Sequence, residues 1–134
     1  MRIKTIFIIV SILLLFQVAP LILSLFSLDI KTILLADTFG SEVSNDGILM
    51  FETFSFVLSS VIIGIICLIL GSLSIRDLSA LRRLSFLLFV VMGFLALPDL
   101  ISGISGKPTA PIPVIIANLL TMGLLFYGAK RGNI

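Results

Sequence analysis

Residues 5–28 read TIFIIVSILLLFQVAPLILSLFSL, a continuous run that contains no charged side chain. An α-helix rises ~1.5 Å per residue, so about 20 apolar residues cross the ~30 Å hydrocarbon core of a bilayer. Arg2 and Lys4 precede the run, as in a secretory signal peptide, but the apolar region of such a peptide is only ~7–15 residues long. A cut after Ala19 would also leave Pro20 in first position. We therefore expect an uncleaved membrane-spanning helix.

The rest of the chain has a similar composition. Of its 134 residues, 59% are apolar and 12% are charged, whereas soluble domains are about half apolar and a quarter charged. The apolar stretches predict one all-α domain, a bundle of four membrane-spanning helices at residues 5–28, 48–74, 84–101 and 111–129. Residues 29–46 mix acids with apolar side chains, which predicts a short amphipathic helix in the loop after the first span.

Polar and helix-breaking residues mark the limits of the predicted spans. Residues 44–46 (SND) offer N-cap side chains for the second span. The motif RDLSALRR at 76–83 reads as a charged turn between the second and third spans. Pro98 should bend the third span, and Pro111 or Pro113 should begin the fourth.

The distribution of charge predicts the orientation in the membrane. Alternating spans would place seven of the nine basic residues on the side of the two termini, with Asp77 as the one acid there. These basic residues are Arg2, Lys4, Arg76, Arg82, Arg83, Lys130 and Arg131. Lys31 and Lys107 would lie on the other side, with the remaining six acids. By the positive-inside rule we expect a multi-pass protein of the plasma membrane, the inner membrane in a bacterium, with both termini cytoplasmic.

Several kinds of chemistry are excluded by composition. The chain has no His and one Cys, Cys67, which rules out an imidazole base, a His-ligated metal and an internal disulfide. A net charge of +2 and the absence of a Gly-rich phosphate loop do not indicate nucleic-acid binding. We expect no catalytic residues, no metal and no cofactor.

One polar residue that the bilayer penalises falls within each span: Gln17, Glu52, Asp99 and Asn118. One hypothesis is a polar pocket in the outer half of the membrane, which binds a cation, a proton or a lipophilic ligand with a polar head. The alternative is structural: the amides form hydrogen bonds between helices, and the acids reach the interface or pair with Lys31 or Lys107. We favour the structural interpretation at this point, because acids near helix ends are common at interfaces.

Small residues recur along the second span, at Ser60, Gly64, Cys67 and Gly71. Such a stripe lets another helix approach closely. Packing within the bundle is the simpler interpretation, with Cys67 as a small core residue. A homodimer face is the alternative.

The layout of the spans and loops resembles the small four-helix membrane proteins of the DoxX-like superfamily. The similarity rests on RDLSALRR at 76–83, on ISGKP at 104–108 and on the span that follows. It implies a four-helix bundle in a plasma membrane. Some members are associated with membrane redox complexes, but the single Cys67 offers no thiol pair to carry over. Small multidrug exporters differ, since their coupling acid lies deep in the first helix, where this chain has Gln17.

From these features we predict a non-enzymatic assembly or accessory component of the membrane. Its partners would be membrane lipids and a second copy or a larger membrane complex, and not nucleic acid. A binder or transporter of a small lipophilic or cationic ligand is the alternative. A third hypothesis, a membrane enzyme with Glu52 and Asp99 as an acid/base pair, requires the two carboxyl groups to converge.

Overall fold

A computed structural model describes residues 1–40, 43–106 and 111–134, with the backbone alone at residues 38 and 39. Its helices are α1 (Ile3–Phe26), α2 (Leu28–Phe39), α3 (Asn45–Gly71), α4 (Leu78–Ile104) and α5 (Ile112–Arg131). A short 3₁₀ turn, Ser72–Ser74, follows α3. α1, α3 with its 3₁₀ turn, α4 and α5 are long and apolar enough to cross a membrane. The prediction of an all-α bundle of four long helices and one short helix is confirmed.

The local sequence explains several helix ends. Ser44 caps α3, because its hydroxyl oxygen accepts a hydrogen bond from the Gly47 N–H at 3.2 Å. Gly40 ends α2 with a φ of 85°, which a glycine adopts without steric cost. Pro111 directly precedes α5. The cap at Ser44 and the start of α5 directly after Pro111 agree with the helix starts predicted from the sequence.

The motif RDLSALRR at 76–83 is not the turn that the sequence predicted. α4 already begins at Leu78, because a carboxylate oxygen of Asp77 accepts the Ser79 N–H at 2.9 Å and caps the helix. That backbone bond, together with one from the Ser79 hydroxyl, lowers the pKa of Asp77 below its ordinary value. The last two arginines of the motif therefore lie on the helix.

α4 also continues past the predicted end of its span, through Pro98 to Ile104. Pro20 likewise lies inside α1. Internal prolines are tolerated in spanning helices where neighbouring groups satisfy the freed backbone. The connection between the predicted third span, 84–101, and the predicted fourth span, 111–129, is correspondingly shorter, and its residues 107–110 lie outside the described parts of the chain.

The spanning helices are packed in the order α3, α1, α5, α4. α1 packs along α3 on one side and α5 on the other, and α4 packs along α5. In the described chain, α3 and α4 barely approach each other although they are consecutive. α1 is thus the central helix, and Ile3, Ile6, Phe7, Val10 and Leu14 are fully buried along it. A crevice remains between α3 and α4.

Contacts between the helix ends bring both termini and the α3–α4 connection to one end of the bundle. Asn133 forms backbone hydrogen bonds with residues 1 and 3. The Lys4 ammonium donates to the Leu73 carbonyl at 2.6 Å, and the Arg82 guanidinium donates to the Gly132 carbonyl. We call this the basic end. The opposite end, with α2 and the α4–α5 connection, is called the acidic end.

Candidate functional site

The crevice between α3 and α4 contains a cavity of about 220 Å³, and all four spanning helices contribute to its wall. Leu58 of α3 and Met92 of α4 belong to its apolar part. Three of the four polar residues singled out in the sequence also line it: Gln17, Asp99 and Asn118. They come from α1, α4 and α5, so the packing gathers side chains that are far apart in the chain.

A close helix contact sets the level of Gln17 relative to Asn118. Gly128 of α5 lies against Ile6 of α1, so that an added Cβ would be 3.3 Å from the Ile6 Cδ1 atom. Gln17 lies eleven residues after Ile6 on α1, and Ala117 lies eleven residues before Gly128 on α5. At ~1.5 Å per residue, Gln17 and the neighbouring Asn118 both lie about 16 Å from this contact. The two amides therefore share one layer of the bundle.

A third polar side chain reaches the same layer from α3. Counting thirteen residues from the Lys4–Leu73 hydrogen bond leads to Gln17 on α1 and to Ser60 on α3. Ser60 itself is exposed, and the inward-facing neighbour at this level is Ser59. The Gln17 Nε2 atom and the Ser59 hydroxyl are both buried and form no hydrogen bond with any described residue. The layer thus contains polar atoms that the surrounding protein leaves unsatisfied.

Further hydroxyls inside the bundle share this property. The hydroxyls of Ser11, Ser55 and Thr121 are also buried without a hydrogen-bond partner in the described part of the chain. An unsatisfied buried polar group costs about 1–3 kcal/mol, and hydrocarbon provides no water to compensate for the loss. Of the residues with such unsatisfied groups, Gln17 lines the cavity, so a polar molecule bound there would gain a hydrogen bond with the Gln17 Nε2 atom that the protein does not make.

Glu52 does not belong to the cavity. Its carboxylate forms an ion pair with the Lys31 ammonium, which links α3 to α2, and the two side chains are 37% and 19% exposed. The prediction of a pocket with all four polar residues is therefore wrong for Glu52, and pairing with Lys31 is the alternative that occurs. The structure does not bring Glu52 and Asp99 into one site. Lys107, the other predicted partner, lies outside the described residues.

The stripe of small residues on α3 faces away from the bundle. Ser60, Gly64, Cys67 and Gly71 are all exposed, and a Cβ added at Gly64 or Gly71 would have nothing within 4 Å. The expectation that this stripe packs within the bundle, with Cys67 in the core, is wrong. The face of α3 that packs inward carries Ser55, Ser59, Ile62 and Ile69 instead.

Two small residues at the basic end, Gly128 and Gly132, were not predicted to form a close helix contact. A Cβ at Gly128 would lie 2.7 Å from the Ser85 hydroxyl oxygen, and a Cβ at Gly132 would overlap the Ile3 side chain. These two glycines are four residues apart, a spacing that allows close helix contact. The same spacing separates Ser60 from Gly64 on α3, so this signal is present in the sequence at both places.

Asp99 completes the wall of the cavity on the side of α4. Its carboxyl group lies five residues before the end of α4 at Ile104, about 7 Å along the helix axis. The cavity therefore extends from the layer of Gln17 and Asn118 towards the acidic end. No family model, no curated protein and no solved structure matches the chain.

Proposed function

We propose that this chain is a non-enzymatic membrane protein that binds a lipophilic ligand with a polar head group in the crevice between α3 and α4. One observation carries the proposal: Gln17, Asp99 and Asn118, from three different helices, line one cavity. Polar residues within a membrane span are costly, and those that face a cavity commonly serve a ligand or ion.

The size of the cavity limits what it can hold. At about 220 Å³ it exceeds an engineered protein cavity of about 150 Å³ that binds benzene. It is smaller than the ~300–1,000 Å³ of sites that enclose drug-sized molecules. We therefore expect it to take a head group with a ring or a short chain segment. Because α3 and α4 separate here, the rest of the ligand can extend into the bilayer past Leu95, which is 37% exposed.

The lining residues specify the chemistry of the head group. The amides of Gln17 and Asn118 can both donate and accept hydrogen bonds, and the Asp99 carboxyl group accepts them in either protonation state. A hydroxyl or amine on the ligand suits this set. It can donate a hydrogen bond to the Asp99 carboxyl group and form further hydrogen bonds with the amides of Gln17 and Asn118. An acceptor atom on the ligand would also satisfy the unpaired Gln17 Nε2 atom.

Photolabelling of the purified protein in lipid nanodiscs tests this proposal. The probes are a diazirine-bearing fatty alcohol and a diazirine-bearing fatty amine, and the labelled peptides are mapped by mass spectrometry. We expect labels on the cavity-lining parts of α3 and α4. Asn118→Leu and Gln17→Leu should each reduce that labelling about fivefold, which corresponds to the loss of about one hydrogen bond.

A matched pair of variants provides the control. Asp99→Asn changes a carboxyl group inside the cavity, whereas Glu52→Gln makes the same chemical change outside it. Asp99→Asn should reduce labelling by the amine probe, and Glu52→Gln should leave it unchanged. Equal labelling in all variants, or labels spread evenly over the outward faces of the helices, would show that the cavity is not a ligand site.

Assembly with a second copy is the other candidate function, and the outward stripe on α3 favours it. Small exposed residues let two helices approach closely in a membrane, and Cys67, the one cysteine, lies on this stripe. Oxidation in nanodiscs should then give a Cys67–Cys67 dimer that Gly64→Leu prevents. Gly123→Leu on α5, another open position, is the control. A chain that stays monomeric at every lipid ratio would rule out this interface.

We further propose that the protein lies in the plasma membrane, as the resemblance to DoxX-like proteins implies, and that both termini are cytoplasmic. Seven of the eight described basic residues lie at the end with the two termini, which supports this orientation through the positive-inside rule. Reporter fusions at the C-terminus test it. A reporter active only outside the cytoplasm should be silent there, and activity would show the reverse orientation.

A further inference from the structure

A separate groove lies at the basic end, between the first turns of α4 and the last turns of α5. Its volume is about 290 Å³. It shares no residue with the cavity between α3 and α4. The residues that line it are Arg82, Arg83, Phe86, Phe126, Ala129 and Lys130.

We infer that this groove binds an anionic phospholipid. Its phosphate would lie at the basic rim, which we define as Arg82, Arg83 and Lys130, and an acyl chain would lie along the phenyl rings of Phe86 and Phe126. The groove combines three cationic side chains with two aromatic ones at the end of two membrane-spanning helices. A phospholipid presents the complementary pattern, a negative head joined to an apolar chain.

The positive charge of the rim is not neutralised by the described part of the protein. The one ion pair between described residues joins Lys31 and Glu52, away from the groove. Asp77, the one acid described at this end, has its carboxylate hydrogen-bonded to Ser79. A basic residue near an anionic membrane surface typically contributes a measurable attraction, so an anion is the expected partner of this rim.

Two of the cations are held in place. The Arg82 guanidinium donates from Nε and Nη2 to the Gly132 carbonyl, at 3.1 and 2.9 Å. The Lys130 ammonium lies 4.8 Å from the centre of the Phe126 ring, a cation–π distance. Fixed side chains lose less conformational entropy when a ligand binds, so the rim is suited to one defined head group.

The phenyl rings distinguish a lipid from a soluble anion. Phe86 and Phe126 are 50% and 40% exposed, and both pack on Phe89, at centroid distances of 6.3 and 5.3 Å. They form an apolar surface directly beside the basic rim. An acyl chain attached to the bound phosphate would cover this surface, whereas free phosphate would leave it exposed.

Native mass spectrometry of the detergent-purified protein tests this inference, with phosphatidylglycerol and phosphatidylcholine as probes. We expect one phosphatidylglycerol to bind more tightly than phosphatidylcholine. Arg83→Gln combined with Lys130→Gln should weaken its binding about 25-fold, from about fivefold for each basic residue. Arg76→Gln combined with Arg131→Gln removes the same charge from the same end but outside the groove, and should have little effect.

Other outcomes would overturn the inference. Equal losses in the two double variants would show a general attraction to the basic end, and equal binding of phosphatidylcholine would show that charge is not recognised. Displacement by equimolar glycerol phosphate would identify a soluble-phosphate site instead. If the double Gln variant does not fold, Arg83→Lys combined with Lys130→Arg keeps the charge of the groove and should retain the lipid. Loss of the lipid in this charge-preserving variant, with native helicity, would contradict a charge-based site.

Discussion

Gly128→Ala should destabilise the bundle, although alanine is the better helix former. The added methyl carbon would lie 2.7 Å from the Ser85 hydroxyl oxygen and 3.3 Å from the Ile6 Cδ1 atom. The Ser85 hydroxyl is buried and donates to the Leu125 carbonyl at 2.7 Å. It can avoid the methyl group only by giving up this hydrogen bond.

The expected magnitude follows from these contacts. Alanine in place of glycine in a helix gains about 1 kcal/mol. Leaving the Ser85 hydroxyl without its acceptor costs about 1–3 kcal/mol, and overpacking against Ile6 costs about 1–3 kcal/mol. The net loss is at least about 1 kcal/mol. Gly123→Ala, on the same helix with nothing within 4 Å of the new Cβ, keeps the gain, so the two variants should differ by at least about 2 kcal/mol.

Unfolding by SDS in mixed micelles, followed by far-UV circular dichroism, measures this difference. Combining Ser85→Ala with Gly128→Ala removes the clashing hydroxyl, so part of the loss should be recovered in a double-mutant cycle. If Gly128→Ala is as stable as Gly123→Ala, the close contact among α1, α4 and α5 is wrong. The register that places Gln17 level with Asn118 would then be wrong too, because it is counted from this contact.

Three other predictions concern the helix ends. Lys4→Met removes the charged hydrogen bond to Leu73 and should cost about 1.5–3 kcal/mol in the same unfolding assay; equal stability of Lys4→Met and Lys4→Arg would contradict this. Glu52→Gln breaks the ion pair with Lys31 of α2, so proteolysis within residues 28–39 should become faster. The free energy of unfolding of the whole bundle should fall by less than about 1 kcal/mol. An unchanged cleavage rate would refute the pairing. Hydrogen bonds from the Ser79 backbone N–H and, to a smaller extent, from the Ser79 hydroxyl lower the pKa of Asp77. The contribution of Asp77 to stability is therefore present at neutral pH. It is lost as the pH falls from the ordinary pKa of Asp through the lower pKa of the folded protein. Asp77→Asn keeps a capping side chain without the titration, so it should flatten the acid side of the pH–stability profile, and an unchanged profile would show that Asp77 is not responsible.

Part of the candidate site was predictable from the sequence. Gln17, Asp99 and Asn118 stood out because a bilayer penalises polar side chains wherever they lie along a span. Glu52 stood out for the same reason but belongs to another structure, the ion pair with α2. Its partner, Lys31, is 21 residues away in the chain, and residue spacing alone did not separate this pairing from a place in the pocket.

The role of the small residues could not be predicted in the same way. The spacing that allows close packing occurs on α3, where the residues face outward, and at Gly128 and Gly132, where they are packed against α1. Spacing shows that a close approach is possible, but the presence of a neighbouring helix decides whether it occurs. The basic groove depends in the same way on the packing of α4 against α5.

The sequence by itself determined the number of long apolar helices and the end of the bundle at which most of the described basic residues lie. Both follow from the cost of placing charge and unpaired backbone in hydrocarbon, which acts on each segment separately. Tertiary structure alone decided which faces meet, the crevice between α3 and α4, and the gathering of three polar side chains there without the fourth. Lipid tails are as apolar as leucine, so hydrophobicity does not select the inward face of a spanning helix. That choice rests on contacts such as Ile6 with Gly128, between residues far apart in the chain.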